Sequence, residues 1–198
     1  MSDMLSNIQG LFTKVAIPYE GKYHTECLLE ENSTNPETKL RKIHICFGET
    51  RREWFLLHPD AGRRCAHDPQ KPCSVNSPHL SVSKMFFHHK VCDAVLFWLD
   101  AGQLKIAYFD LKSEHAGGVS KQFKSMYKFM HYVVSLSEQP IPIAKECAFY
   151  FTPDNPKDLK HAFKSNPGAT QQVGIPVYNV LVYNNQKLNL NQFCPFLS

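Results

Sequence analysis

From Cys92 to Ser113 the chain reads CDAVLFWLDAGQLKIAYFDLKS, apolar on both sides of a short polar break. Two such runs bounded by turn residues predict a hairpin of buried strands. The turn falls at Asp100–Gln103, where Gly102 supplies the positive φ that tight loops need. Beyond Gly118 the period changes: Val119, Phe123, Met126, Tyr127, Met130, Val133 and Val134 recur at the spacing of one helix face, and Pro140 and Pro142 end that helix. AKECAFYFT then reads as a strand. NPKDLKHAFKS reads as a short helix with Pro156 near its first turn, and IPVYNVLVYNNQKLNLNQF as two strands joined at an Asn-Asn turn.

The first ninety residues are patterned less regularly. TKVAIPYE reads as a strand and YHTECLLEE as a short helix, while KIHICFG and EWFLLH have the aromatic and β-branched content of strands. Pro59 to His79 contains four prolines and reads as a long loop, a kind of segment that often carries function. The order hairpin, helix, strand, short helix, strands predicts an α/β fold with a mixed central sheet flanked by helices. One domain over 1–198 is expected, with a core at about 80–198 and an N-terminal part at 1–79.

The hairpin has a feature its apolar body does not explain. A turn at Asp100–Gln103 pairs Leu99 with Leu104, Phe97 with Ile106, Val95 with Tyr108 and Asp93 with Asp110. Lys112, two residues past Asp110, shares their face. The other face carries Ala94, Leu96 and Trp98 against Ala107, Phe109 and Leu111, so both faces are apolar, as in a strand pair covered on each side. Two carboxylates and an ammonium are thus expected together at the open end. Close carboxylates repel and lose solvation, and a cation relieves both costs. Lys112 neutralises one charge. A hard divalent ion such as Mg²⁺ suits the other, because it accepts a few carboxylate oxygens and keeps waters. A plain structural ion pair of Asp93 or Asp110 with Lys112 explains the same charges without a metal.

Composition narrows the setting. With 43% hydrophobic and 20% charged residues the chain is neither disordered nor membrane-embedded in character. No apolar run approaches the roughly 18 residues of a membrane span. The opening MSDMLSNIQGLF has an acid where a secretion signal wants bases, so a cytoplasmic protein is expected. Seven cysteines without a regular spacing fit reduced thiols rather than a disulfide framework. The net charge of +4 is compatible with a nucleic-acid partner but does not demand one.

An Asp opening one strand, a hairpin, and then Asp-Leu-Lys at 110–112 resembles the PD-(D/E)xK nuclease superfamily, which has the restriction-endonuclease-like fold. Ser113 after the lysine and Gln122 early in the following helix add to the likeness, which covers about Val91 to Ser135. Cys92 stands where the family's proline is expected. The resemblance implies a metal-dependent phosphodiesterase, with Asp93 and Asp110 as metal ligands for Mg²⁺ or Mn²⁺. Lys112 would position the attacking water and stabilise the phosphate, and Gln122 would support the site. It also implies DNA as substrate, a role in restriction, defence or repair, and homodimers in those members that cut both strands. Members often add an acid from an N-terminal helix, for which Glu26, Glu30 and Glu31 are candidates. The alternative is a catalytically inactive module of the same fold that binds nucleic acid or a protein partner.

Other groups carry candidate chemistry. Lys121, Lys124 and Lys128 form a basic stripe that could hold a phosphate backbone or simply face solvent. Cys65, His67, Cys73 and His79 are soft or borderline donors for zinc, but lack the usual tight C-x-x-C pair. Arg51, Arg52, Arg63 and Arg64 could contact nucleic acid or be surface charge. His88 and His89 before Cys92 suggest a Cys/His nucleophile, yet no orienting third group or oxyanion site accompanies them.

Overall fold

A computed structural model describes residues 2–12, 14–30, 42–47, 53–59, 90–112, 118–137, 141–153 and 162–193. Ser2–Gly10 forms helix α1, which turns Leu5 and Ile8 inward. Tyr19–Glu20 is a two-residue strand β1, followed by β2 at Glu26–Glu30, β3 at Lys42–Cys46 and β4 at Trp54–Leu57. The hairpin strands are β5, Ala94–Asp100, and β6, Gln103–Leu111. Helix α2 spans Val119–Ser135 and leads to β7 at Ile143–Pro153. Then come β8 at Phe163–Ser165, α3 at Pro167–Val173, β9 at Val177–Val182 and β10 at Gln186–Asn189.

Among the described residues these strands make a seven-stranded sheet, ordered β1-β4-β5-β6-β7-β9-β8, and a three-stranded sheet, ordered β10-β3-β2. The pairs β6/β7 and β7/β9 run parallel, and the other pairs of the large sheet run antiparallel. An antiparallel run β4-β5-β6 therefore passes through the α2 crossover to a parallel β7. Strands β1 and β4, from the N-terminal part of the chain, belong to this sheet.

The sheet is buried on both faces, as the hairpin's two apolar rows require. On one face Val95, Phe97, Leu104, Ile106 and Tyr108 meet α1, α2 and α3 through Ile8, Phe123, Met126, Met130 and Val173. On the other, Leu96, Trp98, Ala107 and Phe109 meet Cys27, Leu29, Ile43 and Ile45 of the small sheet, closed by Leu190 and Phe193. The hairpin register is the expected one, with Leu99 opposite Leu104, Phe97 opposite Ile106 and Val95 opposite Tyr108. Gly102 has φ 78° and Ala101 φ 50°, so the turn uses the left-handed region twice. Every position predicted for the buried face of α2 is buried except Tyr127, which is half-buried.

Three local expectations are corrected. Residues 26–30 form a strand, not a helix, because Cys27 and Leu29 are fully buried with a period of two while β3 pairs alongside. In TKVAIPYE the described residues form a 3-10 turn at Lys14–Ala16, with only Tyr19–Glu20 extended; Pro18 lacks the N–H that a longer strand would need. Phe163–Ser165 is an edge strand on β9, whereas a helix was expected to continue through it. The rest of that segment, 155–161, lies outside the described residues. No described helix is long and apolar enough to cross a membrane.

Candidate active site

The open end of the hairpin sits beside the C-terminal end of β6 and the start of α2. Asp110 is the penultimate residue of β6 and is fully buried. It belongs to the row of Tyr108, on the helix-covered face, and Tyr150 of β7 stands next to it in the parallel register. The Lys112 Nζ lies 2.5 Å from Asp110 Oδ2, with the lysine side chain 16% exposed. Lys112 is itself anchored, since its backbone N–H donates to the Phe151 carbonyl at 2.8 Å. A buried carboxylate thus has a fixed cationic neighbour that still reaches solvent.

Asp93 lies just before β5 and is half-buried. Its Oδ2 accepts a hydrogen bond from the backbone N–H of Leu111, between Asp110 and Lys112 in sequence. That bond ties the start of β5 to the end of β6 and orients the carboxylate. Cys92, fully buried, donates from Sγ to the Ala94 carbonyl at 3.3 Å. Burial, and then the charges of Asp110 and Asp93, push its thiol well above the ordinary value. A thiol held neutral in that way is a poor nucleophile. The histidines expected to activate it, His88 and His89, lie outside the described residues.

Gln122, in the first turns of α2, donates from Nε2 to the Val91 carbonyl at 3.1 Å. Its amide therefore holds the segment that leads into Asp93, two residues away. The structure brings Asp93, Asp110, Lys112 and Gln122 to one end of the sheet. Glu26 and Glu30 are elsewhere. They lie on the small sheet's outer row, opposite the buried Cys27 and Leu29, where Glu30 pairs with Lys42 at 2.6 Å and Glu26 with Lys187 at 3.3 Å. The small sheet covers the face of the large sheet away from Asp110. Lys121 and Lys128 are exposed and Lys124 is half-buried along α2. Glu31, the four arginines and the Cys65, His67, Cys73, His79 set lie outside the described residues.

A second polar group was not anticipated. Glu146 of β7 has a side chain 9% exposed, and it accepts from Tyr108 Oη at 2.7 Å while its other oxygen lies 2.6 Å from His131 Nε2. The Tyr127 ring packs on His131 with centroids 4.4 Å apart. These residues come from β6, α2 and β7. Only the parallel β6/β7 register and the path of α2 unite them, and no local motif announces that.

Two hard oxygen donors at a sheet end suit an ion that takes one or two carboxylates and fills its remaining positions with water, which is the habit of Mg²⁺. Among the described residues no group of three His, Cys, Asp or Glu converges on a place where a metal ion could sit. No family model, curated protein or solved structure matches this chain.

Proposed function

We propose that the protein is a metal-dependent phosphodiesterase acting on nucleic acid, with DNA as the expected substrate and endonucleolytic cleavage as the expected reaction. The observation that carries this reading is the fully buried Asp110 carboxylate held 2.5 Å from Lys112, with Asp93 fixed onto the backbone between them. The order of antiparallel hairpin, crossover helix and parallel strand supports the restriction-endonuclease-like reading of the motif.

In this reading Asp93 and Asp110 would hold Mg²⁺ or Mn²⁺. An ion held there would supply positive charge and a more acidic water. The chain's own residues do the rest. Lys112 places an ammonium beside the reacting phosphate, where it orients the attacking water and stabilises the charge that develops. The Leu111 N–H fixes the Asp93 carboxylate, so that ligand is oriented before substrate arrives. Gln122 keeps the Val91–Asp93 segment against α2 and so positions the ligand rather than touching the phosphate.

A second reading rests on the same contacts. Lys112 already balances Asp110, and Asp93 already accepts a backbone hydrogen bond. The set would then be an internal ion pair closing the sheet end of an inactive binding module. Purified protein incubated with plasmid and single-stranded DNA, with and without Mg²⁺ or Mn²⁺, separates the two. Metal-dependent cleavage lost in both Asp110→Asn and Lys112→Met supports the phosphodiesterase. Cleavage that survives both changes removes the site assignment, and metal-independent binding without cleavage favours the module.

A further inference from the structure

We propose that the outer face of α2 is a docking track for single-stranded nucleic acid, in which Lys121, Lys124 and Lys128 hold successive phosphates and Tyr132 stacks on an unpaired base. The proposal rests on the nucleic-acid reading above and names the strand form that the site receives.

The track is a single row. At 3.6 residues per turn, positions 121, 124, 128 and 132 fall within an arc of about 80°. That arc lies opposite the buried row of Val119, Phe123, Met126, Met130, Val133 and Val134. Tyr132 is 60% exposed, an unusual placement for a large aromatic ring, and it closes the far end of this solvent-facing row. From Lys121 to Tyr132 the row runs about 16 Å along the helix axis, a length suited to two or three extended nucleotides.

Charge favours an anionic occupant. The α2 sequence, VSKQFKSMYKFMHYVVS, contains no Asp or Glu, and neither does α3, PGATQQV, which packs beside it. An ordinary solvated helix face mixes both signs and uses i, i+4 pairs. Here none of the three lysines is ion-paired with a described residue. Glu146 of β7, which His131 of the same helix reaches, is occupied by Tyr108 and His131.

Position links the row to the site. Lys121 adjoins Gln122, whose amide touches Val91 two residues before Asp93. The row thus begins at the sheet end that carries Asp110 and leads away along the helix. Lysines without base-edge contacts bind phosphates regardless of sequence, and an exposed ring rewards only a base whose face is free. Together they favour a single strand over a duplex.

The test is fluorescence polarisation with a labelled oligo-dT single strand and a blunt duplex, in EDTA so that nothing is cut, across about 50–300 mM KCl. The wild-type chain is expected to bind the single strand more tightly. The triple change Lys121→Gln, Lys124→Gln, Lys128→Gln should lower the salt slope by about 2, from roughly 0.7 per phosphate contact. Tyr132→Ala should weaken single-strand binding roughly tenfold at an unchanged slope, with Tyr132→Phe retaining it and duplex binding unaffected. Lys121, Lys128 and Tyr132 are exposed and Lys124 is half-buried, and circular dichroism checks that each variant folds. An unchanged slope in the triple variant overturns the proposal. So does equal loss for both strand forms in Tyr132→Ala, or tighter binding to phosphatidylserine vesicles with the same variant dependence. Cleavage that depends on Asp110 while the α2 variants bind normally would remove the track and leave the phosphodiesterase. Track-dependent binding without any cleavage would do the reverse.

Discussion

Asp110 and Lys112 form a 2.5 Å ion pair in which the acid is completely buried and the base is not. The two side chains are therefore unequal partners. Removing the lysine takes the neighbouring cation away from a carboxylate in the protein interior, whereas removing the acid leaves a lysine that can turn to water. Lys112→Met is expected to destabilise the fold by about 3–5 kcal/mol, and Asp110→Asn by clearly less. Urea unfolding of both variants checks this order. Equal losses would mean that the Asp110 charge is carried by other contacts.

Gln122 spans α2 and the segment entering β5. Gln122→Ala removes one neutral hydrogen bond, at a cost of about 1 kcal/mol. If its role is to position Asp93, turnover should fall about tenfold or more while the apparent substrate affinity holds, because a ligand displaced by a fraction of an ångström loses pre-organisation. A variant that loses stability and activity in the same small proportion would reduce Gln122 to a packing residue.

The Glu146 carboxylate is shared by Tyr108 and His131. Tyr108→Phe removes a hydroxyl and leaves one buried oxygen without that donor, which should cost about 1–3 kcal/mol. His131→Ala should cost less, since that ring is 42% exposed. The double variant is expected to be non-additive, as both partners meet on one carboxylate. A double-mutant cycle by chemical denaturation measures the coupling, and a coupling near zero would contradict the shared-acceptor arrangement.

Burial is the leading cause that raises the Cys27, Cys92 and Cys147 thiols, the last to about 12. The reactive species is the thiolate, so a raised pKa means slow alkylation at pH 8. Iodoacetamide labelling followed by peptide mass spectrometry should leave these three unmodified in the native protein and modify them in denaturant. Cys46 is only half-buried and should label earlier, although the Glu26 carboxylate beside it also raises its thiol. Native labelling of Cys27 or Cys92 at the rate of a free thiol would show that the small sheet or the hairpin end opens.

The hairpin and α2 were legible because each obeys one strong period over many residues, and because the turn at Asp100–Gln103 leaves a single register that keeps both faces apolar. That register is what placed Asp93 and Asp110 at the same end. Strand β2 was misread because Glu and Leu are good helix formers, and ECLLE is too short for its period to outweigh them. Packing of Cys27 and Leu29 against the large sheet decided the matter. Helix α3 was missed, although it is framed by the Asn166 cap, Pro167 and Gly174 at φ 98°; its seven residues give too little periodicity to stand out. The Tyr108–Glu146–His131 group could not be read at all, since its members lie on three elements whose meeting depends on tertiary packing.

The Asn184–Asn185 turn does more than reverse the chain. It carries β9 out of the large sheet and delivers β10 to the small one, parallel to β3, and Asn184 Oδ1 accepts from Lys42 N across a separation of 142 residues. A growing polypeptide therefore cannot finish its second hydrophobic core until residues 186–193 have been made, however early β2 and β3 emerge. Synthesis should pass through an intermediate whose helix-covered face is sealed while Leu96, Trp98 and Phe109 still wait for their cover. Ribosome-stalled chains ending at Tyr183 should be cut quickly by protease within residues 26–46, and equal resistance in stalled and full-length chains would exclude that order of assembly.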